Sequence, residues 1–403
     1  MNSFTRTLTD RLQERKAEHL YRSRRILASP QAPEVFCGKQ SFVAFCSNDY
    51  LGLANHPEVI EAFKHGLDKY GAGSGASHLV TGHSAAHHAL EEELAAFTGR
   101  SRALLFSSGY MANVGVISCL LGKNDYVFED KLNHASLLDG GLFSNAHFKR
   151  YPHGNLDKLA ALLQIVDGEG LRLIVSDGVF SMDGDVAPLA NLLDLAEQQQ
   201  ALVMLDDAHG FGFLGTHGGG LSEAVREQGV VVDENRLPIL VGTLGKAFGT
   251  AGAFVAGSEA LIETLIQFCR PYIYTTALPA AVAEATRCSL RLLQGENWRR
   301  EHLRQLIEKF RQRCLELALP LMPSTTPIQG LLLGSSTAAL AVSHILETHG
   351  LLVPAIRPPT VPLGSARLRV TLSAAHSMAQ LQHLLDALEQ LAPTIRSHAN
   401  QSV

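Results

Sequence analysis

The sequence lacks a strong charge of either sign. Its 34 lysines and arginines nearly balance 39 aspartates and glutamates, so the chain of 403 residues carries a net charge of −5. A protein that binds nucleic acid broadly needs a basic face, and we therefore expect no nucleic-acid partner. With 46% hydrophobic residues and a mean hydropathy of +0.07, the composition excludes a disordered chain and suits one large domain with a smaller one.

The sequence also lacks a segment that would direct it to a membrane. Residues 1–25 contain no apolar core of a secretory signal, and acidic residues among the arginines argue against a transit peptide. The longest apolar tract, from Leu237 to Ala256, is interrupted by Lys246 and by glycines, so we interpret it as buried strands and a turn. We therefore predict a cytoplasmic protein without membrane association.

Cysteine is scarce and shows no pattern. The six cysteines form no Cys-x-x-Cys pair and have no metal-ligand spacing, which disfavours a disulfide scaffold and a cysteine zinc site. We interpret them as reduced, mostly buried thiols. His83 and His87 have the spacing of a zinc-binding helix, but Ser84 replaces the glutamate of that motif, and we predict no metal site.

The sequence does contain short apolar runs that alternate with helical patterns. The runs are Arg102–Phe106, Tyr126–Glu129, Leu171–Ser176, Ala201–Asp206, Ile239–Thr243 and Ala253–Ala256. The helical patterns between them are Ala85–Phe97, Asn113–Leu121, Leu156–Val166 and Pro188–Gln199. This alternation predicts an α/β fold with a mainly parallel sheet covered by helices. A further, basic helix is predicted over Thr5–Leu27, ended by proline-containing breakers.

The pattern changes after about Ala281. Long helical patterns over Val282–Leu293 and Trp298–Leu317 lead into weaker strand signals at Gly330–Leu333 and Arg367–Thr371. Further helical patterns lie at Ala339–Thr348 and Met378–Leu391, and together they predict a smaller α+β domain. We therefore divide the chain into an N-terminal helix and segment (1–50), a large domain (51–281) and a small C-terminal domain (282–403).

Polar residues follow the predicted strands at the point where each strand ends, which is where parallel sheets bind ligands. The segment Ser107–Asn113 begins with small residues that open a helix, as a phosphate-binding segment does. The segment Asp206–His209 places two acids beside a histidine, which is costly to bury unless the groups are paired. Lys246 lies in an apolar, glycine-flanked stretch, and a lysine bound covalently as a Schiff base is one economical explanation.

Each of these features has an ordinary structural alternative. The small residues could form a common helix cap, the acids could cap the next turn, and Lys246 could reach the surface from a turn. Asp206, Asp207 and His209 could also hold the metal of a hydrolase, although this leaves Lys246 unexplained. Taken together, the features favour pyridoxal phosphate, which needs a lysine, an acid near its pyridine nitrogen and donors for its phosphate.

The same segments resemble the α-oxoamine synthases, a branch of the fold-type I pyridoxal-phosphate enzymes. The similar stretches span nearly the whole chain and are residues 47–53 (SNDYLGL), 73–77 (GSGAS), 107–113 (SSGYMAN), 133–140 (NHASLLDG), 178–185 (GVFSMDGD), 205–212 (LDDAHGFG) and 243–249 (TLGKAFG). Residues 272–279 and 355–373 resemble the members that make a biotin precursor. The resemblance implies a homodimeric, fold-type I transferase with shared active sites.

The resemblance also implies roles for single residues. The catalytic set would be Lys246, His134, Asp206 and His209. Lys246 would bind the cofactor and move the α-proton, Asp206 would face the pyridinium nitrogen, and His134 would stack on the ring. The other cofactor contacts would be Ser181 and His209 at the ring oxygen, with Gly109, Tyr110, Thr243 and, from the partner subunit, Thr276 at the phosphate. The substrate-binding residues would be Arg22, Asn48, His134, Arg357 and Thr360, with Arg357 at the amino-acid carboxylate.

The implied reaction is a decarboxylative condensation of L-alanine with a pimeloyl thioester, carried by CoA or by an acyl carrier protein. The alternative is a sister enzyme that uses glycine and a short acyl-CoA. The sequence departs from the family at three places: Asp177 replaces a glutamate, Ala76 and His78 lie in a loop that is usually richer in glycine, and His217–Gly220 is unusual. We expect Asp177 to alter a hydrogen bond more than the chemistry.

Overall fold

A computed structural model describes residues 2–166 and 168–400. Its α-helices, α1 to α14 in chain order, are Ser3–Ala17, Pro57–Tyr70, Ala85–Thr98, Gly109–Leu120, Ala135–Phe143, Leu156–Gln164, Leu189–Gln198, Gly220–Glu227, Glu259–Phe268, Arg270–Ile273, Ala280–Gly295, Asn297–Glu316, Ser336–Thr348 and Met378–Asn400. Its strands, β1 to β13, are Glu34–Cys37, Gln40–Ala44, Arg102–Phe106, Tyr126–Asp130, His147–Tyr151, Arg172–Asp177, Leu202–Asp206, Ile239–Thr243, Ala253–Gly257, Ile328–Gly334, Leu351–Leu352, Ala355–Ile356 and Ala366–Thr371. Within these ranges no helix combines the length and the apolar character of a membrane span.

The chain folds as two units. The large unit comprises Asn48–Ser181 and Asp185–Glu301, and the small unit comprises the described residues up to Ser47, Met182–Gly184 and those from His302 onward. The division of the chain at residues 50 and 281 stays a prediction.

A seven-stranded sheet with the order β3-β9-β8-β7-β6-β4-β5 forms the centre of the large unit. The pairs from β8 to β5 are parallel, and β9 runs antiparallel to both β8 and β3. Strands β6, β7 and β8 are buried along almost their whole length, as parallel strands with two covered faces are. Six of the seven strands coincide with predicted apolar runs. The edge strand β5 was missed because only its last residue, Tyr151, is buried.

The parallel strands place the predicted polar segments on one side of the sheet. Strands β3, β4, β6, β7 and β8 end at Phe106, Asp130, Asp177, Asp206 and Thr243, and all five run in the same direction. Asp177 and Asp206 are direct neighbours in the register of β6 and β7. We call this side the carboxyl edge.

The small unit contains two three-stranded sheets, β1-β2-β11 and β10-β13-β12. Strands β10 and β13 include the predicted strands of the C-terminal domain and pair antiparallel. Helices α13 and α14 of this unit also contain the predicted helical patterns at their positions.

The predicted N-terminal helix is too long. Helix α1 ends at Ala17, ten residues before the predicted end at Leu27. His19 adopts a left-handed conformation with φ of 57°, and the N–H of Leu20 donates to the carbonyl of Arg15, which closes the helix. No residue of α1 is buried, so no tertiary contact favours extending it.

Candidate active site

A chain of hydrogen bonds leads from Lys246 into the interior of the large unit. Lys246 lies in the turn after β8, partly exposed, and its Nζ is 2.7 Å from Nε2 of His209. Nδ1 of His209 is 2.5 Å from the hydroxyl of Tyr50, and both of these side chains are buried. Because both ring nitrogens are engaged, the ring is fixed and its tautomer is coupled to the proton on Lys246. Sequence reasoning missed Tyr50, although it lies within the SNDYLGL segment.

Asp206 ends β7 as a buried carboxylate with two donors. The N–H of Ala208 donates to Oδ1 at 3.0 Å, and Nδ2 of Asn113 donates to Oδ2 at 2.6 Å. Asn113 also donates to the hydroxyl of Ser136 at 2.9 Å. These bonds fix the orientation of the carboxylate at the carboxyl edge. Sequence reasoning missed Asn113; a polar residue on the buried face of the otherwise apolar helix α4 was the signal that could have identified it.

The adjacent Asp207 has a different environment. Its side chain is fully buried, and Oδ2 accepts a hydrogen bond of 2.5 Å from the N–H of Leu221. Glycines enclose the carboxylate so closely that a Cβ would lie 2.6 Å or less from its oxygens at three positions, Gly178, Gly210 and Gly220. Burial raises the pKa of Asp207 well above its usual range. Asp207 is therefore a structural carboxyl group of the loop.

The residues of the alternative metal site do not form a ligand cluster. Within residues 2–166 and 168–400, the groups close enough to share a metal ion are His83 with His88 and Glu91, and His217 with Glu223 and Glu227. Neither group contains the Asp206–His209 segment. His87, which has zinc-like spacing to His83, is buried and accepts a hydrogen bond from the N–H of Ser84 at the start of α3.

His134 lies at the start of α5 and is held from two sides. Its Nδ1 is 2.7 Å from the hydroxyl of Ser136, and its N–H donates to Oδ2 of Asp177 at 2.6 Å. Burial lowers the pKa of His134, the charge of Asp206 opposes this, and that of Lys246 adds to it, so the three groups share one electrostatic environment. Asp177 thus makes a hydrogen bond to the backbone of His134. Burial, reinforced by Asp206, raises the pKa of Asp177 well above its usual range.

The predicted phosphate residues converge at the start of α4. Gly109 and Tyr110 are the first residues of this helix, and the hydroxyl of Ser108 caps it. A Cβ on Gly109 would lie 4.0 Å from Oγ1 of Thr243, and one on Gly245 would lie at the same distance from that atom. The first turn of α4 therefore lies close to a threonine hydroxyl, and N–H groups at the positive end of a helix beside a hydroxyl suit an anion.

Other predicted residues of the large unit lie in loops. Ser181 is partly exposed in the loop after β6. Asn48 is also partly exposed, and its Oδ1 lies 3.4 Å from the hydroxyl of Tyr50. Thr276 is exposed, and its carbonyl accepts a hydrogen bond of 3.4 Å from the hydroxyl of Ser107 in the same chain. Its contact across a dimer interface stays a prediction.

The remaining substrate candidates come together within the small unit. Nη2 of Arg22 donates to Oγ1 of Thr360 at 3.1 Å. The guanidinium of Arg357 donates to the backbone carbonyls of His19 and Tyr21. Burial lowers the pKa of Arg357, and the charge of Arg22 adds to this effect. Because α1 ends at Ala17, Arg22 lies in a segment that is neither helix nor strand.

Comparisons with known sequences identify close relatives. The family model for class I and II aminotransferases matches residues 40–388. The chain is 59% identical over 385 residues to the 8-amino-7-oxononanoate synthase of Cellvibrio japonicus (strain Ueda107). The aligned region covers 96% of this chain and 95% of the relative.

Solved structures show the same fold. One is a serine palmitoyltransferase from S. paucimobilis, solved with a bound PLP–myriocin aldimine, which aligns with a TM-score of 0.91 and 30% sequence identity. The alignment covers 98% of this chain and 100% of the palmitoyltransferase chain. An 8-amino-7-oxononanoate synthase from Francisella tularensis aligns with a TM-score of 0.75 and 34% identity over 88% of this chain and 98% of its own. The predicted α/β fold is therefore confirmed.

Proposed function

Because the chain belongs to the 8-amino-7-oxononanoate synthase family, within the class I and II aminotransferases, we propose that it condenses L-alanine with a pimeloyl thioester. The reaction releases carbon dioxide and the free thiol and yields 8-amino-7-oxononanoate, a step of biotin biosynthesis. The observation that carries this proposal is the placement of Nζ of Lys246 2.7 Å from His209, on the same edge as the buried Asp206.

The residues of the site fit pyridoxal phosphate, the cofactor of this fold type. Lys246 supplies the amine, Asp206 the acid for the pyridine nitrogen, and the start of α4 with Thr243 the phosphate donors. A Cβ on Gly109 or Gly245 would lie no closer than 3.7 Å to its neighbours, so a phosphate can approach the backbone there. When bound, the cofactor supplies an electron sink for the α-carbon of the amino acid.

The side chains around this cofactor site have distinct tasks. Nζ of Lys246 holds the cofactor and takes the α-proton of alanine. His209 can exchange a proton with that amine over 2.7 Å, and Tyr50 keeps the imidazole in line. Asp206, oriented by Asn113, keeps a proton on the ring nitrogen. His134 would supply a flat group to pack against the ring.

The substrate contacts follow from chemistry. The guanidinium of Arg357 suits the carboxylate of alanine because its planar donors bind a carboxylate through two bonds. Arg22, Thr360 and Asn48 are polar and at least partly exposed, which suits the far end of a pimeloyl chain and its carrier. The carrier is CoA or an acyl carrier protein.

We further propose that the enzyme is a cytoplasmic homodimer in which Thr276 reaches the phosphate site of the partner subunit. The exposure of Thr276 supports this contact. The six cysteines are unpaired thiols, which suits a reducing compartment.

The test is an assay of the purified protein loaded with pyridoxal phosphate. L-Alanine is paired with pimeloyl-CoA and with a pimeloyl carrier protein, and the product is identified by mass spectrometry. Glycine with acetyl-CoA is assayed in parallel. We expect product from alanine and at least one pimeloyl thioester. Turnover of glycine alone, or no turnover with any pair, would contradict the proposed reaction.

A further inference from the structure

His153, just after β5 in the large unit, lies between two carboxylates. Its Nδ1 is 3.0 Å from Oδ1 and 3.1 Å from Oδ2 of Asp130, and its Nε2 is 2.8 Å from Oδ2 of Asp185. Because both ring nitrogens face carboxylate oxygens, both must donate, and the ring is an imidazolium ion. The two hydrogen bonds outweigh burial and raise the pKa of His153 to about 10, so the ring stays charged at neutral pH.

Asp130 anchors the loop that carries His134. Its Oδ1 accepts a hydrogen bond of 2.8 Å from the N–H of Leu132, and its carbonyl accepts one of 3.1 Å from the N–H of Asn133. His134 is the next residue. Oδ2 of Asp130 accepts a further hydrogen bond of 2.8 Å from the N–H of Gly154. The carboxylate therefore ties the end of β4, the His134 loop and the segment of His153 together.

Asp185 closes the loop that carries Ser181. The N–H of Phe180 donates to the carbonyl of Asp185 at 3.0 Å, and Val179 and Val186 form a β-bridge beside it. Ser181 follows Phe180 directly. The rings of Phe180 and His153 pack perpendicular to each other with centroids 4.4 Å apart. The base of the Ser181 loop therefore contacts His153 through both Asp185 and Phe180.

The hydrogen bond from His153 is important for Asp185 because no hydrogen bond offsets the cost of burying the other oxygen of this carboxylate. Oδ1 of Asp185 is buried and lacks a hydrogen-bond partner. Removal of the imidazolium would leave a charge beside a protein interior with little to neutralise it. We therefore expect Asp185 to shift and, through its backbone bond to Phe180, to displace the base of the Ser181 loop.

We propose that His153 is a positioning residue of this active site, a cationic clamp that holds the Ser181 loop against the His134 loop. The clamp sets two predicted cofactor contacts, at the ring oxygen and at the ring face, before the cofactor binds. This proposal rests on the proposed function because it assigns Ser181 and His134 to the cofactor. His153 itself acts through these loops and does not contact the cofactor.

The test compares cofactor binding by the wild type with that of His153→Gln and of His147→Gln. Glutamine can donate to one carboxylate but carries no charge, and a cavity of about 120 Å³ beside the cluster gives it room. His147 is an exposed histidine on β5, the strand that precedes His153, and is the matched control. Each apoprotein is titrated with pyridoxal phosphate, followed by the visible absorbance, and the induced circular dichroism of the bound cofactor is recorded at saturation.

We expect His153→Gln to raise the dissociation constant of pyridoxal phosphate roughly tenfold or more and to change the induced circular dichroism. His147→Gln should match the wild type. A folded His153→Gln protein with a lower melting temperature but unchanged cofactor affinity and circular dichroism would show a merely structural role and overturn the proposal.

Asp185→Asn gives a second, milder test that also serves if His153→Gln does not fold. Asparagine keeps an acceptor for Nε2 but removes the charge, so we expect a smaller change in the same direction. Unchanged cofactor binding in Asp185→Asn together with an unfolded His153→Gln would also overturn the proposal. If the wild type binds the cofactor but forms no product, the proposed reaction is wrong, and the comparison of cofactor affinities still decides the role of His153.

Discussion

The cofactor site and the substrate candidates of the small unit are built in different ways. Lys246, His209 and Asp206, which we call the lysine cluster, lie at the end of a strand or in the turn that follows it, and two of the three are buried. Arg22, Arg357 and Thr360, the arginine cluster, lie in loops and are at least partly exposed. The first set is held by short side-chain hydrogen bonds, whereas Arg357 bonds to backbone carbonyls. The groups that we propose act on the reacting atoms are thus held by side-chain partners, and those that we propose bind the substrate are more exposed.

This contrast predicts that changes in the lysine cluster affect chemistry and changes in the arginine cluster affect substrate affinity. The largest effect is expected for Lys246→Ala, which removes the amine that we propose holds the cofactor and moves the α-proton. Turnover should fall by several orders of magnitude, and the visible absorbance of the lysine-bound cofactor should disappear. Lys64→Ala, which changes an exposed lysine paired with Glu61, is the control. Retained turnover in Lys246→Ala would show that the lysine cluster does not carry out the chemistry.

The next effect is expected for Asp206→Asn. The variant should still bind part of the cofactor but exchange the α-proton of alanine about 10² to 10⁴ times more slowly, since the ring nitrogen loses its acidic partner. Exchange is measured in deuterated water by NMR spectroscopy. Asp207→Asn is the matched control because the pKa of Asp207 is already raised by burial and its carboxyl group serves the loop. Normal exchange in Asp206→Asn would refute the assigned role.

Most of the central sheet was predictable because its strands are apolar and end in polar residues. Helix α5 was not predicted because it contains two adjacent glycines, which are poor helix formers. A Cβ on Gly140 would lie 2.7 Å from the side chain of Ile117, and one on Gly141 would lie 2.6 Å from Phe148. These glycines allow close packing against α4 and β5, a tertiary reason that local periodicity cannot show.

The same limit applies to the site. Lys246, Asp206 and His209 could be named because a charged residue at the end of an apolar run is visible in the sequence. Tyr50 could not, because its partner His209 lies 159 residues away along the chain. For Asn113 the sequence shows a polar residue on an apolar helix, but not its partner Asp206, which lies 93 residues away. Their roles depend on contacts that only the folded sheet creates.

A smaller effect is expected for Arg357→Lys in the arginine cluster. Lysine keeps the charge but cannot bind a carboxylate through two planar bonds, so the KM for alanine should rise about tenfold. The dissociation constant of pyridoxal phosphate should stay unchanged, which separates this cluster from the lysine cluster. Arg24→Lys, at an exposed arginine near Arg22, is the control. An unchanged KM, or a weaker cofactor affinity, would show that Arg357 does not have the proposed role.

The smallest effect concerns stability and pH at His153, which supports the loops around the lysine cluster. Its pKa is raised to about 10 by hydrogen bonds to Asp130 and Asp185, above the ordinary value of 6.5. A group with a raised folded-state pKa stabilises the fold fully below its unfolded pKa and loses this effect as the pH rises through its folded pKa. The melting temperature of the wild type should therefore exceed that of His153→Gln by the most near pH 6.5, and the difference should shrink toward pH 10.

The neighbouring Tyr151 stays neutral over this range because burial raises its pKa further, so the two carboxylates are the charges that face the ring. Melting curves of both proteins across this pH range measure the difference. A difference that stays constant with pH would mean that the pKa of His153 is not raised in the folded protein, and the loops of Ser181 and His134 would then need another support.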